Sequence, residues 1–211
     1  CSDTTFTFDL KHTRELKKFW PNDRVSYCGN AFMENFNEEI SSILQKNVYY
    51  YSQPYQLDQE CNIVNYLSSQ LGNKFIFITH PRTSNKHIEN ILKNAENLKI
   101  ITSEKYFCYR KYYDSNLAIA ITRTSNVALR LIINGFPVIL FQDGEKGFTR
   151  NFNFQTNYPL IASSPEQIIK LINNQDLLDK FKKFRKKYLL DFYGNVGVKD
   201  LANAISNYKS N

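Results

Sequence analysis

The sequence has none of the glycine-rich loops that mark the large nucleotide-binding classes. No GxxxxGKS/T stretch is present, which argues against a P-loop nucleotide hydrolase; no GxGxxG follows a strand, which argues against a dinucleotide oxidoreductase; and no GxSxG elbow is present for a hydrolase. Cys1, Cys28, Cys61 and Cys108 have no CxxC spacing and no histidine in zinc-like register, so neither a metal site nor a redox pair is expected, and a reducing cytosol fits best. No apolar run approaches the roughly 20 residues of a membrane helix, and the expectation is a soluble chain. Internal repeats and low-complexity blocks are also missing. The first residues, Cys-Ser-Asp-Thr-Thr-Phe, carry neither an initiator Met nor a signal-peptide pattern, which suggests a chain that begins inside a longer protein.

What is present is globular. At 211 residues, 42% hydrophobic and 15% aromatic, the chain can bury a full core, and one large domain with an appendage is expected. The formal charge of +7 speaks to partners rather than to fold. Its densest run is Lys180 to Lys187, KFKKFRKK, through which Leu177, Phe181, Phe184, Tyr188 and Phe192 recur at three- and four-residue steps. That spacing makes an amphipathic helix with a basic outer face. A solvated face is the first reading of it and a contact with acidic lipid headgroups the second. Nucleic acid is not expected as a partner, because no recognised nucleic-acid motif accompanies the charge.

The most informative stretch runs from Asn116 to Phe141, NLAIAITRTSNVALRLIINGFPVILF. Leu117 to Ile121 has the length and apolarity of a buried strand, and Val127, Leu129, Leu131, Ile132 and Ile133 belong to a helix buried over much of its surface. Gly135 is placed to end that helix in a left-handed conformation, and Pro137 opens the next strand. The stretch is therefore a βαβ unit. Its turn, Thr122-Arg123-Thr124-Ser125-Asn126, puts Ser125 at the helix cap and the free amides of the first turn beyond the strand end, which makes an anion site.

The same alternation extends upstream, with strands at Val48–Ser52, Phe75–Thr79 and Lys99–Thr102 and helices at Leu57–Leu71, His87–Leu98 and Glu104–Tyr113. Pro159–Ala162 is a last short strand, and Ser164–Asn173, Asp176–Phe192 and Val198–Tyr208 are terminal helices. Strands separated by helices of 10 to 15 residues imply parallel pairing, so the expected class is α/β, a doubly wound parallel sheet. Residues 1–46, with a short strand Arg24–Cys28, are expected to be a linker or the tail of a preceding domain. Residues 47–211 form the main one.

In such a sheet ligands bind beyond the carboxyl ends of the strands. The polar residues there are Ser52 and Gln53, Thr79-His80-Pro81-Arg82, Ser103 and Glu104, Thr122 to Asn126, and Gln142 to Gly147. His80 is the sharpest candidate, because an imidazole fixed by Pro81 at a strand end can donate to a phosphate oxygen, with Arg82 beside it to neutralise a leaving phosphate. The competing reading is an ordinary core hydrogen bond. His12 and His87 are expected at the surface. A mononucleotide or sugar-phosphate reader is what remains.

On His80-Pro81, Thr122, Thr124 and Ser125, followed by Ala128-Leu129 and Gly135-Phe136-Pro137-Val138-Ile139, the chain resembles the carboxyl-terminal, donor-binding half of GT-B glycosyltransferases. The likeness is to the bacterial sialyltransferase, polysialyltransferase and capsule or lipooligosaccharide transferase group, and it covers Val48 to about Ile205. Arg24 to Asn30 looks like the segment leading out of an amino-terminal half. The resemblance implies a Rossmann-like fold and a metal-independent transfer, without cofactor, of a sugar to a glycan or glycolipid acceptor in bacterial polysaccharide biosynthesis. It also implies that His80 acts catalytically on a donor phosphate. Ser52, Gln53, Thr79, Pro81, Arg82, Ser103, Glu104, Thr122, Thr124, Ser125 and Asn126 would line the nucleotide-sugar site, with a CMP-linked sialic acid favoured. Arg130 and Phe136 stand where many such domains carry an acidic residue and a Lys, which leaves the nucleotide open. The implied catalytic base lies in an amino-terminal half, so Asp143 and Glu145 are given no such role. The implied location is cytoplasmic, at the inner face of the inner membrane. A nucleotide-sugar epimerase of related fold and a non-catalytic sugar-nucleotide-binding module are the alternatives.

Overall fold

In a computed structural model, the structure describes residues 5–7, 10–20, 25–27, 47–53, 57–95, 98–102, 116–123, 127–142, 158–174 and 176–193. Strand β1 (Thr5–Thr7), helix α1 (Leu10–Lys17) and strand β2 (Val25–Tyr27) come first, and β1 pairs parallel with β2. Of these, β2 falls within the expected strand, whereas β1 and α1 have no counterpart in the sequence reading. Their polar, weakly periodic residues gave no strand or helix signal.

The main sheet is built from β3 (Asn47–Tyr51), β4 (Phe75–Ile78), β5 (Lys99–Ile101), β6 (Leu117–Thr122), β7 (Val138–Phe141) and β8 (Ile161–Ala162). Its order is β5-β4-β3-β6-β7-β8, and every pairing is parallel. This is a Rossmann-like doubly wound sheet, as the alternation predicts. Helices α2 (Leu57–Leu71), α3 (Asn85–Asn94), α4 (Val127–Ile133), α5 (Pro165–Ile172) and α6 (Leu177–Tyr193) accompany it. From β3 the chain steps to β4 in one direction, and from β6 to β7 in the other. Right-handed crossovers therefore send α2 and α4 to opposite faces. With both faces covered, β4 (FIFI), β6 (LAIAIT) and β7 (VILF) are buried throughout and read as continuous apolar runs.

The core sits at the middle of the sheet. Tyr50 is fully buried and stacks on Phe77 with ring centroids 5.9 Å apart, and Tyr158 packs edge-on against Phe184 while donating its hydroxyl to the Val138 carbonyl. Gly135 has φ +86°, and the Gly135 and Phe136 amides donate to the Ile132 and Leu131 carbonyls, closing α4 with the left-handed stop expected of it. Ser164 caps α5 by accepting the Gln167 amide, with Pro165 in the first turn.

Two expectations need correction. Helix α3 starts at Asn85, earlier than expected, because Ser84 caps it, and it ends at Asn94. The basic run on α6 is not uniformly outward. Lys180, Lys182, Lys183, Lys186 and Lys187 are exposed, but Arg185 is buried and donates from Nε to the Ile132 carbonyl at 2.9 Å. The Ile132 carbonyl, which also accepts the Gly135 amide, thus takes a second donor at the helix end. The expected helices Glu104–Tyr113 and Val198–Tyr208 lie outside the described residues.

Candidate functional site

Strand order reverses between β3 and β6, and this switch point is where an open α/β sheet leaves a crevice for ligand. Tyr51 is in register with Ile78 of β4 on one side and Thr122 of β6 on the other. The next residues in line, Ser52, Thr79 and Arg123, thus emerge side by side at the carboxyl edge. Thr79, Ser52 and Gln53 are all buried there.

His80 follows directly. Its carbonyl accepts the Thr83 amide at 2.8 Å across a turn with Pro81 at the second position, and its own amide donates to Thr83 Oγ1 at 3.0 Å. The Arg82 amide donates to His80 Nδ1 at 3.1 Å. A backbone N–H has only a proton to give, so Nδ1 is the acceptor and the neutral ring carries its hydrogen on Nε2. Partial burial, and then the Arg82 guanidinium, hold the imidazole below its ordinary value, while the charge of Glu60 pulls it the other way. His80 is therefore poised as a neutral Nε2–H donor at the rim of the crevice.

The β3 side is organised by a residue the sequence reading passed over. Glu60, in the first turn of α2, is fully buried. Its Oε2 accepts from the Ser52 hydroxyl at 2.7 Å and from His87 Nε2 at 3.0 Å, and its Oε1 accepts the Gln53 amide at 3.1 Å. Three donors on one carboxyl group mark it as the acceptor-only carboxylate, which makes His87 Nε2 the protonated nitrogen. His87 Nδ1 then faces Cys61 Sγ at 3.9 Å. Desolvation first, and Glu60 and Asp58 next, push the Cys61 thiol up, which disfavours its thiolate. His87 is buried, contrary to its expected surface position; the carboxylate at its tip makes an interior imidazole tolerable.

The remaining candidates distribute as follows. Gln53 donates from Nε2 to the Ser52 carbonyl. Thr122 is wholly buried and donates from Oγ1 to the Tyr51 carbonyl at 3.4 Å, joining β6 to β3. Pro81 and Arg82 are exposed. Arg123, not singled out from sequence, is 8% exposed and donates from Nη2 to Gln59 Oε1 of α2 at 3.1 Å, across the switch point. Ser103, Glu104, Thr124, Ser125 and Asn126 lie outside the described residues, as do Asp143 and Glu145. The structure thus gathers Ser52, Gln53, Thr79, His80, Pro81, Arg82 and Thr122 on the ends of three adjacent strands.

No protein-family model matches the chain. No curated protein matches it in sequence. Solved structures do resemble it. UDP-GlcNAc 2-epimerase from Neisseria meningitidis, bound to UDP-GlcNAc, is similar over 100% of this chain and 62% of that one, with a TM-score of 0.62 at 15% identity. A variant of the wall teichoic acid polymerase TagF is similar over 99% and 60%, with a TM-score of 0.58 at 16% identity. S. aureus TarM, in complex with UDP and alpha-GlcNAc-glycerol among others, is similar over 97% and 43%, with a TM-score of 0.54 at 11% identity. The chain therefore spans about half the length of the proteins it resembles, 43% to 62% in these three. At such identities the likeness is one of fold: this is the Rossmann-like sheet found in GT-B enzymes and in a related epimerase.

Proposed function

We infer that this chain is the nucleotide-sugar-binding half of a glycosyltransferase, with the donor phosphate seated at the β3/β6 switch point between His80 and the end of β6. The observation that carries this is the tautomer of His80. Its Nδ1 is occupied by the Arg82 amide, so the ring offers Nε2–H at the strand ends, where an open sheet takes its ligand. In the transfer, the bond between the sugar's anomeric carbon and the phosphate oxygen breaks as an acceptor hydroxyl bonds to that carbon. The hydroxyl's proton passes to a base, which we assign to a part of the protein outside this chain. Charge growing on the departing phosphate meets His80 Nε2–H, with Arg82 and Arg123 nearby, and fixed donors stabilise such charge without reorganising.

The finer reading is a CMP-linked sialic acid carried to a surface glycan or glycolipid. Calorimetric titration of the chain with CMP, UDP, GDP and CDP tests both levels. Binding of CMP in preference to the other three supports it, preference for UDP moves the donor class, and no binding by any of the four discards the nucleotide-sugar reading. His80→Ala should weaken whichever nucleotide binds.

A second reading has its own support: the N. meningitidis epimerase matches the whole chain with the highest TM-score of the three neighbours described. Conversion of UDP-GlcNAc on its own, with no acceptor added, would favour it. The exposed lysines of α6 support a peripheral contact with an anionic membrane, and among the described residues no helix is long and apolar enough to cross one. Co-sedimentation with phosphatidylserine vesicles, against none with phosphatidylcholine vesicles, is the expected result for that contact.

A further inference from the structure

The geometry points to Glu60 and His87 as a positioning pair that couples the two halves of the candidate site, the Ser52–Gln53 turn after β3 and the His80 turn after β4. This rests on the nucleotide-sugar reading above and identifies residues of the same crevice that touch no ligand themselves.

Both turns end on the same carboxylate. On the β3 side, Glu60 takes the Ser52 hydroxyl and the Gln53 amide, so the backbone where the strand leaves the sheet is held from α2. On the β4 side the connection runs through α3. His80 and Thr83 hold each other in a closed turn, Ser84 next to it accepts the His87 amide as the helix cap, and the His87 ring reaches back to Glu60. Glu60, His87, Ser52 and Gln53 are all buried, at 0%, 4%, 3% and 6% exposure. In a dry site each hydrogen bond is strong and directional, and a lost one is not replaced by water.

The link is also electrostatic. Two charged groups act on His80 in opposite senses, Arg82 lowering and Glu60 raising its affinity for a proton. The Glu60 charge is thus one of the influences on the imidazole assigned to the phosphate. A purely structural polar cluster elsewhere in the core would have no such effect.

The test uses the whole chain, four nucleotides as probes (CMP, UDP, GDP and CDP), and two variants of the pair. His87→Asn is too short to reach Glu60, whereas the amide of His87→Gln reaches the position of Nε2 and can still donate. His87→Asn should raise the Kd of the nucleotide that binds by about tenfold, as expected when a reacting group is misplaced by a fraction of an ångström. His87→Gln should restore most of that affinity. Leu177→Ala on α6, which opens a cavity away from the crevice, should lower Tm and leave Kd unchanged. Equal Kd in wild type and His87→Asn, or a Leu177→Ala effect as large as that of His87→Asn, overturns the pair's role.

Glu60→Gln supplies a second arm that needs no ligand and keeps the side-chain volume. The amide can accept from the Gln53 N–H and donate to Ser52 Oγ or to Nε2 of His87 in the tautomer that carries its hydrogen on Nδ1, so the fold is kept while the charge is lost. Followed by NMR, the His80 ring should then titrate at lower pH than in wild type. An unchanged His80 titration refutes the coupling. If wild type binds none of the four nucleotides, the nucleotide-sugar reading falls, while the titration still decides whether Glu60 joins the two turns.

Discussion

Glu60→Ala should be among the most damaging single changes in this chain, and its cost follows from the three bonds that end on the carboxylate. The Ser52 hydroxyl, the Gln53 amide and His87 Nε2, at 2.7, 3.1 and 3.0 Å, all lose their acceptor inside the protein. A buried donor left unsatisfied costs about 1–3 kcal/mol. Taking the lower end for each of the three donors gives a total of about 3 kcal/mol. In a chain of this size each kcal/mol moves Tm by about 2–4 °C, so a fall of roughly 6–12 °C is expected. Urea unfolding followed by far-UV circular dichroism measures it. Glu15→Ala is the matched control, because Glu15 also accepts a side-chain hydrogen bond, from Lys18 at 2.9 Å, but in solvent, and exposed pairs contribute about 0–1 kcal/mol. If the two variants lose equal stability, the reasoning from burial is wrong.

Three further changes probe other parts of the structure. Arg185→Met should cost about 1 kcal/mol by removing one of the two donors on the Ile132 carbonyl, the Gly135 amide remaining, whereas Lys182→Met, exposed on the same helix, should stay within about 0.5 kcal/mol; denaturant midpoints compare them. Gly135→Ala forces an L side chain to φ +86° and should destabilise by about 1–2 kcal/mol, again read as a shifted urea midpoint at constant slope. His80 is held below 6.5 in the folded chain, so the native state resists a proton that the unfolded chain accepts. Its contribution to stability is present above that unfolded value and lost as pH falls through the folded one, and His80→Asn should flatten that slope in Tm against pH.

The fold was legible because the sheet is covered on both faces. Apolar runs such as Phe75–Ile78 and Leu117–Thr122 read as buried strands without any alternation to interpret, and Gly135 marked the end of α4 on backbone grounds alone. What was misread concerns polar side chains inside the core. Glu60 stands in register with Ile63, Val64 and Leu67 on the buried stripe of α2, and His87 stands one turn before Ile91 on that of α3. A polar, titratable residue in core register was the available signal for both. Their pairing was not, because residues 27 apart meet only once α2 and α3 lie together over β3 and β4. Arg185 misled for the opposite reason: its neighbours in the basic run are solvated, and only the packing of α6 on α4 turns it inward. At the candidate site the sequence identified strand-end residues from topology alone. The hydrogen on His80 Nε2 required the structure, since it depends on where the Arg82 amide points.

The central claim is that a nucleotide phosphate sits at the carboxyl edge between β3 and β6 and takes the hydrogen of His80 Nε2. A crystal structure of the chain with its tightest-binding nucleotide tests this most directly. The account predicts a phosphate oxygen within hydrogen-bond distance of His80 Nε2, with Nδ1 still accepting the Arg82 amide. A nucleotide bound elsewhere on the chain, or bound there with the His80 ring turned away, would contradict it.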